Sequence, residues 1–284
     1  GDSVDMGAGD DIVELTVDAY QSPQTLANIN ISKLDGGSGV DTLSFTTSGF
    51  TTHVDGAALR LTTGNATNFE NLIGTYYADT IYGDNSSNYL YGYSGGTSGN
   101  DVIYGQGGND FLLANDSTGG GSSRTWLVTP GTGQTLASSL NFLTKFDATG
   151  KNQLFGGSGD DVLIGGKGDD TLDGGTGRDH LAGGAGTDVF VLRVGDGGAT
   201  INDADIIYDF TLGTDILGLA DGLTYNKLTF TQGTGNYVGD TVIQYTPTGE
   251  YLAILNSDAF TFQLIGISYQ LLYGQLRVQD FSTI

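Results

Sequence analysis

GGSGDDVLI, GGKGDDTLD, GGTGRDHLA and GGAGTDVFV run consecutively over residues 156–191, and the reading of these nonapeptides decides the fold. The aspartates Asp161, Asp170, Asp179 and Asp188 fall nine apart, and two residues after each comes a large apolar side chain, Leu163, Leu172, Leu181 or Phe190. In each unit six residues with glycine at the first, second and fourth places make a turn. Such a backbone can enter positive φ and aim its carbonyls at one point. The other three residues form a short strand, whose side chains alternate, so the apolar eighth position points inward and the seventh and ninth outward. Two half-turns of nine make one coil of eighteen, and the stretch predicts a parallel β-roll.

A single turn offers one carboxylate and a few carbonyls, about half of the roughly six to eight oxygens that calcium takes. The other half must come from the next coil. Asp161 with Asp179, and Asp170 with Asp188, are therefore expected to share ions along opposite edges of a flattened solenoid, in the GGxGxDxUx manner of calcium-binding β-helices. Stacked carboxylates without calcium repel by roughly 3 kcal/mol per pair at about 5 Å and an effective dielectric near 20. The empty roll is expected to be unfolded or loose.

Degenerate copies extend the pattern upstream. Asp79, Asn88, Asp101 and Asp110 hold the sixth position, followed by Ile81, Leu90, Ile103 and Leu112 at the eighth, with Gly99 and Gly108 among the turn glycines. Asn88 replaces an aspartate, so its site is expected to be weaker or empty. MGAGDDIVE, with Gly9 and Asp11, and GGSGVDTLS, with Gly37, Gly39 and Asp41, are single copies separated by long excursions.

Composition agrees. The 284 residues include 48 glycines and only three prolines, about 17 % glycine against a usual share of roughly 7 %. Of 33 acidic residues only Glu14, Glu70 and Glu250 are glutamate, and the short aspartate side chain is the one that works beside its own backbone carbonyls in a tight turn. A net charge of −23 argues against a nucleic-acid partner, since no basic stripe exists to neutralise phosphates. Absence of cysteine removes thiolate chemistry and disulfides. No apolar run is long enough to span a bilayer, and the N-terminus has no cleavable signal-like segment. Opening at Gly1 without an initiator Met and almost inside a repeat is what a fragment or processed product would show. His53 and His180 are the only histidines and no HExxH motif occurs, so no enzyme is expected. His180, at an outward seventh position, is expected to face solvent.

These residues resemble the RTX (repeats-in-toxin) family of type I secreted bacterial proteins, over about half of the chain. FENLIGTYYADTIYGDNSSNYLYG, residues 69–92, resembles the segment that leads into such repeats, and DADIIYDFTLGTDILGL, residues 203–219, the strand-rich cap that follows them. The resemblance implies that the sixth-position aspartates bind calcium through their carboxylates and that second- and fourth-position glycines contribute carbonyls. In this chain those glycines are Gly157, Gly159, Gly166, Gly168, Gly175, Gly177, Gly184 and Gly186. It also implies an uncleaved C-terminal secretion signal, to which LRVQDFSTI is similar, and export in the unfolded state with folding outside, where calcium is plentiful.

The expected architecture is thus all-β: an irregular N-terminal roll over 1–113, an insertion over 114–152, a regular roll over 153–193 and a C-terminal antiparallel β cap with the secretion region over 194–284. In the insertion Leu136, Leu140, Leu143 and Phe146 recur at helical spacing, which favours a short amphipathic helix over a second irregular strand pair. TVIQY and EYLAIL flank Thr246, Pro247, Thr248 and Gly249, a hairpin with proline second and glycine fourth in a type I turn. On the outer faces Tyr89, Tyr91, Phe111 and Leu113 share one side, expected to lie under the insertion, while Tyr82 and Tyr104 share the other, expected to serve self-association. The first functional expectation is an extracellular structural protein of a surface layer, sheath or filament. The alternative is the C-terminal secretion and folding module of a larger secreted enzyme, adhesin or toxin.

Overall fold

The computed structural model describes residues 2–14, 31–45, 57–61, 66–75, 78–92, 100–114, 150–256 and 281–283. The expected insertion helix, and Leu264, Leu271, Leu272 and Leu276, which the sequence places in a final helix or strand, lie outside them. The described residues form strands with a few short 3-10 turns and no α-helix. Two long sheets dominate, one of eight strands and one of eleven, with a separate three-stranded sheet near the N-terminus.

The chain visits the two long sheets alternately. Val102–Gly107, Gln153–Ser158, Thr171–Thr176 and Val189–Leu192 are neighbours in one; Phe111–Leu113, Val162–Lys167 and His180–Ala185 are neighbours in the other. All these pairs are parallel, and in the regular part Leu154 pairs with Leu172, Leu163 with Leu181 and Leu172 with Phe190, eighteen residues apart. Each coil adds one fully buried side chain to each sheet's inner column, so the nine-residue period is also the period of the core. The strands are longer than the sequence predicts. Val162–Lys167, for example, carries Gly165 and Gly166 inside the ladder, because glycines without side chains let the strand run to the edge of the roll.

Departures from eighteen do not break the register. Ile81 pairs with Ile103 and Leu90 with Leu112 across 22 residues, and Leu43 pairs with Leu72 across 29. Leu112 pairs with Leu163, and Ile103 with Leu154, across 51 residues, so the coils on either side of the insertion stack directly. Closing a longer loop costs only about 0.6 kcal/mol per doubling of length, which one buried leucine outweighs.

At the C-terminal end Asp205–Ile207 and Ile216–Leu219 add one more coil. The hairpin of Thr241–Tyr245 and Glu250–Leu255 is present and antiparallel, but it extends the eleven-stranded sheet by parallel pairing with Asp205–Ile207 instead of lying over its end. Leu228–Gln232 forms the final edge. The turn closes one residue earlier than predicted: Thr248 and Gly249 N–H groups both donate to the Tyr245 carbonyl, at 3.3 and 2.8 Å, with Gly249 at φ 77°. Among the described residues no helix is long and apolar enough to cross a membrane.

Candidate metal centres

The sixth-position residues stack into a ladder along each edge of the roll. On one edge Asp101 Oδ1 accepts the Asp79 N–H at 2.9 Å, Asn152 Oδ1 the Asp101 N–H at 2.9 Å, Asp170 Oδ1 the Asn152 N–H at 2.8 Å, Asp188 Oδ1 the Asp170 N–H at 2.9 Å and Asp215 Oδ1 the Asp188 N–H at 3.0 Å. The other edge runs Asn88, Asp110, Asp161, Asp179, Asp205 in the same way, at 2.7 to 2.9 Å. Farther up, Asp41 accepts from Asp11 and Glu70 from Asp41, both at 2.8 Å. One oxygen of each accepting ladder side chain thus ties a coil to its neighbour.

The second oxygen is the informative one. Oδ2 of Asp11, Asp41, Asp101, Asp110, Asp161, Asp170 and Asp179 is buried without a hydrogen-bond partner, an arrangement that folded proteins rarely keep uncompensated. A Cβ placed on Gly156 would overlap both Asp161 Oδ2 and the Gly174 carbonyl, and one on Gly165 both Asp170 Oδ2 and the Gly183 carbonyl. Two acceptors therefore converge where no donor is present. The second and fourth glycines lie at positive φ, as at Gly157 (112°) and Gly159 (131°), and the same holds for Gly166, Gly168, Gly175, Gly177, Gly184, Gly186, Gly108, Gly37, Gly39 and Gly9. They stack so closely that a Cβ on Gly175 would overlap the Gly157 carbonyl. Gly99 lies outside the described residues. Among the described residues no three carboxylate or histidine side chains converge as a metal cluster. An ion at these turns would have to draw on backbone oxygens, which is what a hard cation such as calcium accepts. The residues present fit it.

Electrostatics point the same way. Burial pushes the Asp161 carboxyl up to about 6, Asp170 to about 7, and Asp101, Asp110 and Asp188 to about 8. Neighbouring ladder aspartates add to the rise at several of them, for instance Asp170 acting on Asp188. A cation beside Oδ2 would reverse this by favouring the ionised form.

A family model of the RTX calcium-binding nonapeptide repeat matches residues 67–95, 96–117, 148–181, 155–190 and 164–198. The chain carries RTX calcium-binding repeats. The matched element is a calcium-binding repeat and not a catalytic one, and comparison with curated proteins gave no match. The single copies around Asp11 and Asp41 lie outside the matched residues.

Asn152, nine residues before Asp161 and so back in the register after the insertion, stands between Asp101 and Asp170, and its Nδ2 also donates to Asp170 Oδ1 at 2.8 Å. Two members of the RTX ladders escape the nonapeptide reading. Asp205 and Asp215 belong to the cap segment, yet each precedes an inward apolar residue by two, Ile207 and Leu217, which is the signal that could have found them. Asp209 accepts the Gly183 and Gly184 N–H groups at 3.0 and 2.8 Å, fixing the cap to the last regular turn.

His180 does not simply face solvent. Its ring stacks on Tyr208 with centroids 5.7 Å apart, its Nδ1 lies 2.7 Å from the Tyr208 hydroxyl, and burial lowers its pKa to about 4. His180→Ala is expected to reduce thermal stability by about 1 kcal/mol and to raise the calcium concentration for half-folding by less than about twofold. Asp170→Ala removes the acceptor for Asn152 and a ladder oxygen, and is expected to raise that concentration at least about tenfold. Calcium titrations followed by circular dichroism distinguish the two, and equal shifts would contradict the ladder assignment.

Proposed function

We propose that this chain is an extracellular structural protein that folds as its RTX turns take up calcium and then self-associates into a surface layer, sheath or filament. The ions are held along the ladder edges by Asp101, Asp110, Asp161, Asp170, Asp179 and Asp188 with the carbonyls of the turn glycines, and, in the N-terminal copies, by Asp11 and Asp41. In this reading residues 1–113 and 153–193 are the calcium roll, 114–152 an insertion and 194–284 a cap with the secretion signal. The observation that carries the calcium part is the row of buried Oδ2 atoms without a donor.

Support for self-association comes from the unequal outer faces. Tyr89, Leu113 and Ile164 are buried, with Tyr89 stacked on Phe111 at 5.0 Å. Tyr82, Tyr104 and Phe155 are half-buried and stack as a continuous column, 5.0 Å between successive rings, with the Arg60 guanidinium over the Tyr82 ring. Beyond Phe155 the column passes to Asp173, which takes the Arg193 guanidinium with both oxygens. A rigid aromatic column on a flat sheet is a ready contact surface. Because Tyr104 stacks on both sides, Tyr104→Asp is expected to cost the monomer roughly 1–3 kcal/mol, so it is a poor probe of assembly. Gln153, beside Phe155 and exposed, is a better one. Gln153→Lys is expected to leave calcium-loaded melting unchanged and to lower calcium-induced light scattering severalfold. Unaltered scattering would remove this face from the assembly, and no scattering from the parent chain would remove assembly itself.

A further inference from the structure

Two kinds of turn stand out among the described residues, distinguished by the backbone at the second place; the turns ending at Asp188, whose Gly184 has φ 103° but whose Oδ2 is not among the unpartnered atoms, and at Asp205 belong to neither. In the turns ending at Asp11, Asp41, Asp110, Asp161, Asp170 and Asp179 that place is held by Gly7, Gly37, Gln106, Gly157, Gly166 and Gly175, all with φ between 82° and 112°. Every one of these six aspartates keeps a buried Oδ2 without a partner. In the turns ending at Asp79, Asn88 and Asp215 the second place is held by Thr75, Asp84 and Thr211, none of which has positive φ. There the second residue's N–H donates across the turn to the ladder side chain: to Asp79 Oδ2 at 2.6 Å, to Asn88 Oδ1 at 2.8 Å and to Asp215 Oδ2 at 2.7 Å. The Thr75 hydroxyl adds a bond to Asp79 Oδ2 at 2.9 Å, and the Asn88 amide donates to the Glu70 carbonyl at 3.1 Å.

We propose that turns of the second kind are closed by hydrogen bonds in place of an ion, so that calcium is excluded beside Asp79, Asn88 and Asp215 and confined to the positive-φ turns. The inference rests on the reading of the ladders as calcium sites. Its physical basis is competition for one oxygen: the atom that would face an ion in a positive-φ turn here faces the positive end of an N–H dipole inside the fold. Admitting a cation would require breaking that bond and leaving a buried N–H unpaired, which costs about 1–3 kcal/mol before any repulsion. Glycine itself is not the criterion. Gln106 takes φ 82° and sits in a turn of the first kind, so the turn ending at Asp110 belongs with the ion-holding ones although its second residue has a side chain. One ladder, from Asp79 to Asp215, is thereby closed at both ends without metal, and the other is interrupted at Asn88.

Anomalous scattering from crystals of the full chain grown with calcium tests this directly. Peaks are expected beside Asp110, Asp161, Asp170 and Asp179, and none beside Asp79, Asn88 or Asp215. A peak at any of the latter three overturns the proposal, whereas no peak at any turn would overturn the calcium reading beneath it and the proposal with it. In solution, Asp79→Asn and Asp161→Asn are compared by native mass spectrometry in calcium. The asparagine at 79 can still accept from the Thr75 N–H, and the ion count is expected to stay unchanged with the folding midpoint within about twofold. Asp161→Asn is expected to lose at least one ion and to need about tenfold more calcium. Equal ion loss in the two variants would refute the distinction.

Discussion

In excess chelator at neutral pH the chain is expected to show the circular dichroism of a largely disordered polypeptide, and millimolar calcium is expected to produce β-structure in one cooperative step. The reason is the buried row of ladder carboxylates. Burial moves the Asp101 carboxyl from 3.8 to about 8, which corresponds to roughly 4 kcal/mol of cost at pH 7 for holding that one group in the fold without a cation. Asp110 and Asp188 carry similar rises, and a domain's whole stability is only about 5–15 kcal/mol. On the proposed reading, calcium removes the cost and supplies the bridge between coils, so that binding and folding become one event. Magnesium is expected to fail, because it demands a near-octahedral shell and gives up its water reluctantly. A folded spectrum in excess chelator at pH 7 would sink the folding-switch claim.

Acid is expected to replace part of what calcium does. A carboxyl whose pKa is raised on folding binds more protons in the folded than in the unfolded chain at every pH between the two values. Stability of the calcium-free roll therefore falls as pH rises through that window and recovers as pH falls. With unfolded values near 3.8 and folded values from about 6 at Asp161 to about 8 at Asp101, Asp110 and Asp188, the window runs from about pH 4 to about pH 8. In chelator, moving from pH 7.5 to pH 5 is expected to raise the β-signal and the urea midpoint. In calcium the same change is expected to raise the calcium needed for half-folding, since protons and calcium compete for the same oxygens. A β-signal in chelator that does not change between pH 7.5 and 5 would contradict the burial of these groups.

The nonapeptides alone carried much of this. A glycine pair, an aspartate and an apolar residue repeated every nine positions report the local geometry of one half-turn, and local geometry is what a repeat writes into a sequence. From it come the parallel roll, the inward column of Leu163, Leu172, Leu181 and Phe190, and the two aspartate edges. Partners that depend on the whole stack are not written there. Asp205 and Asp215 joined the ladders at separations of 26 and 27 residues, because a coil may carry an excursion of any length at small entropic cost, and then no period marks its members. His180 looked solvated because the sequence shows which face a residue takes but not that Tyr208 arrives beside it.

The sequence by itself determined that this is a parallel β-roll carrying RTX calcium-binding repeats, since period, glycine and aspartate together leave few other solutions. Only the tertiary structure decided which turns have an oxygen to offer an ion. Asp79 and Asp161 are the same residue at the same place in the repeat, yet one accepts the Thr75 N–H and the other ends unpartnered. The sign of φ two residues into the turn separates them: Gly157 takes φ 112°, while Thr75 has no positive φ and turns its N–H onto Asp79.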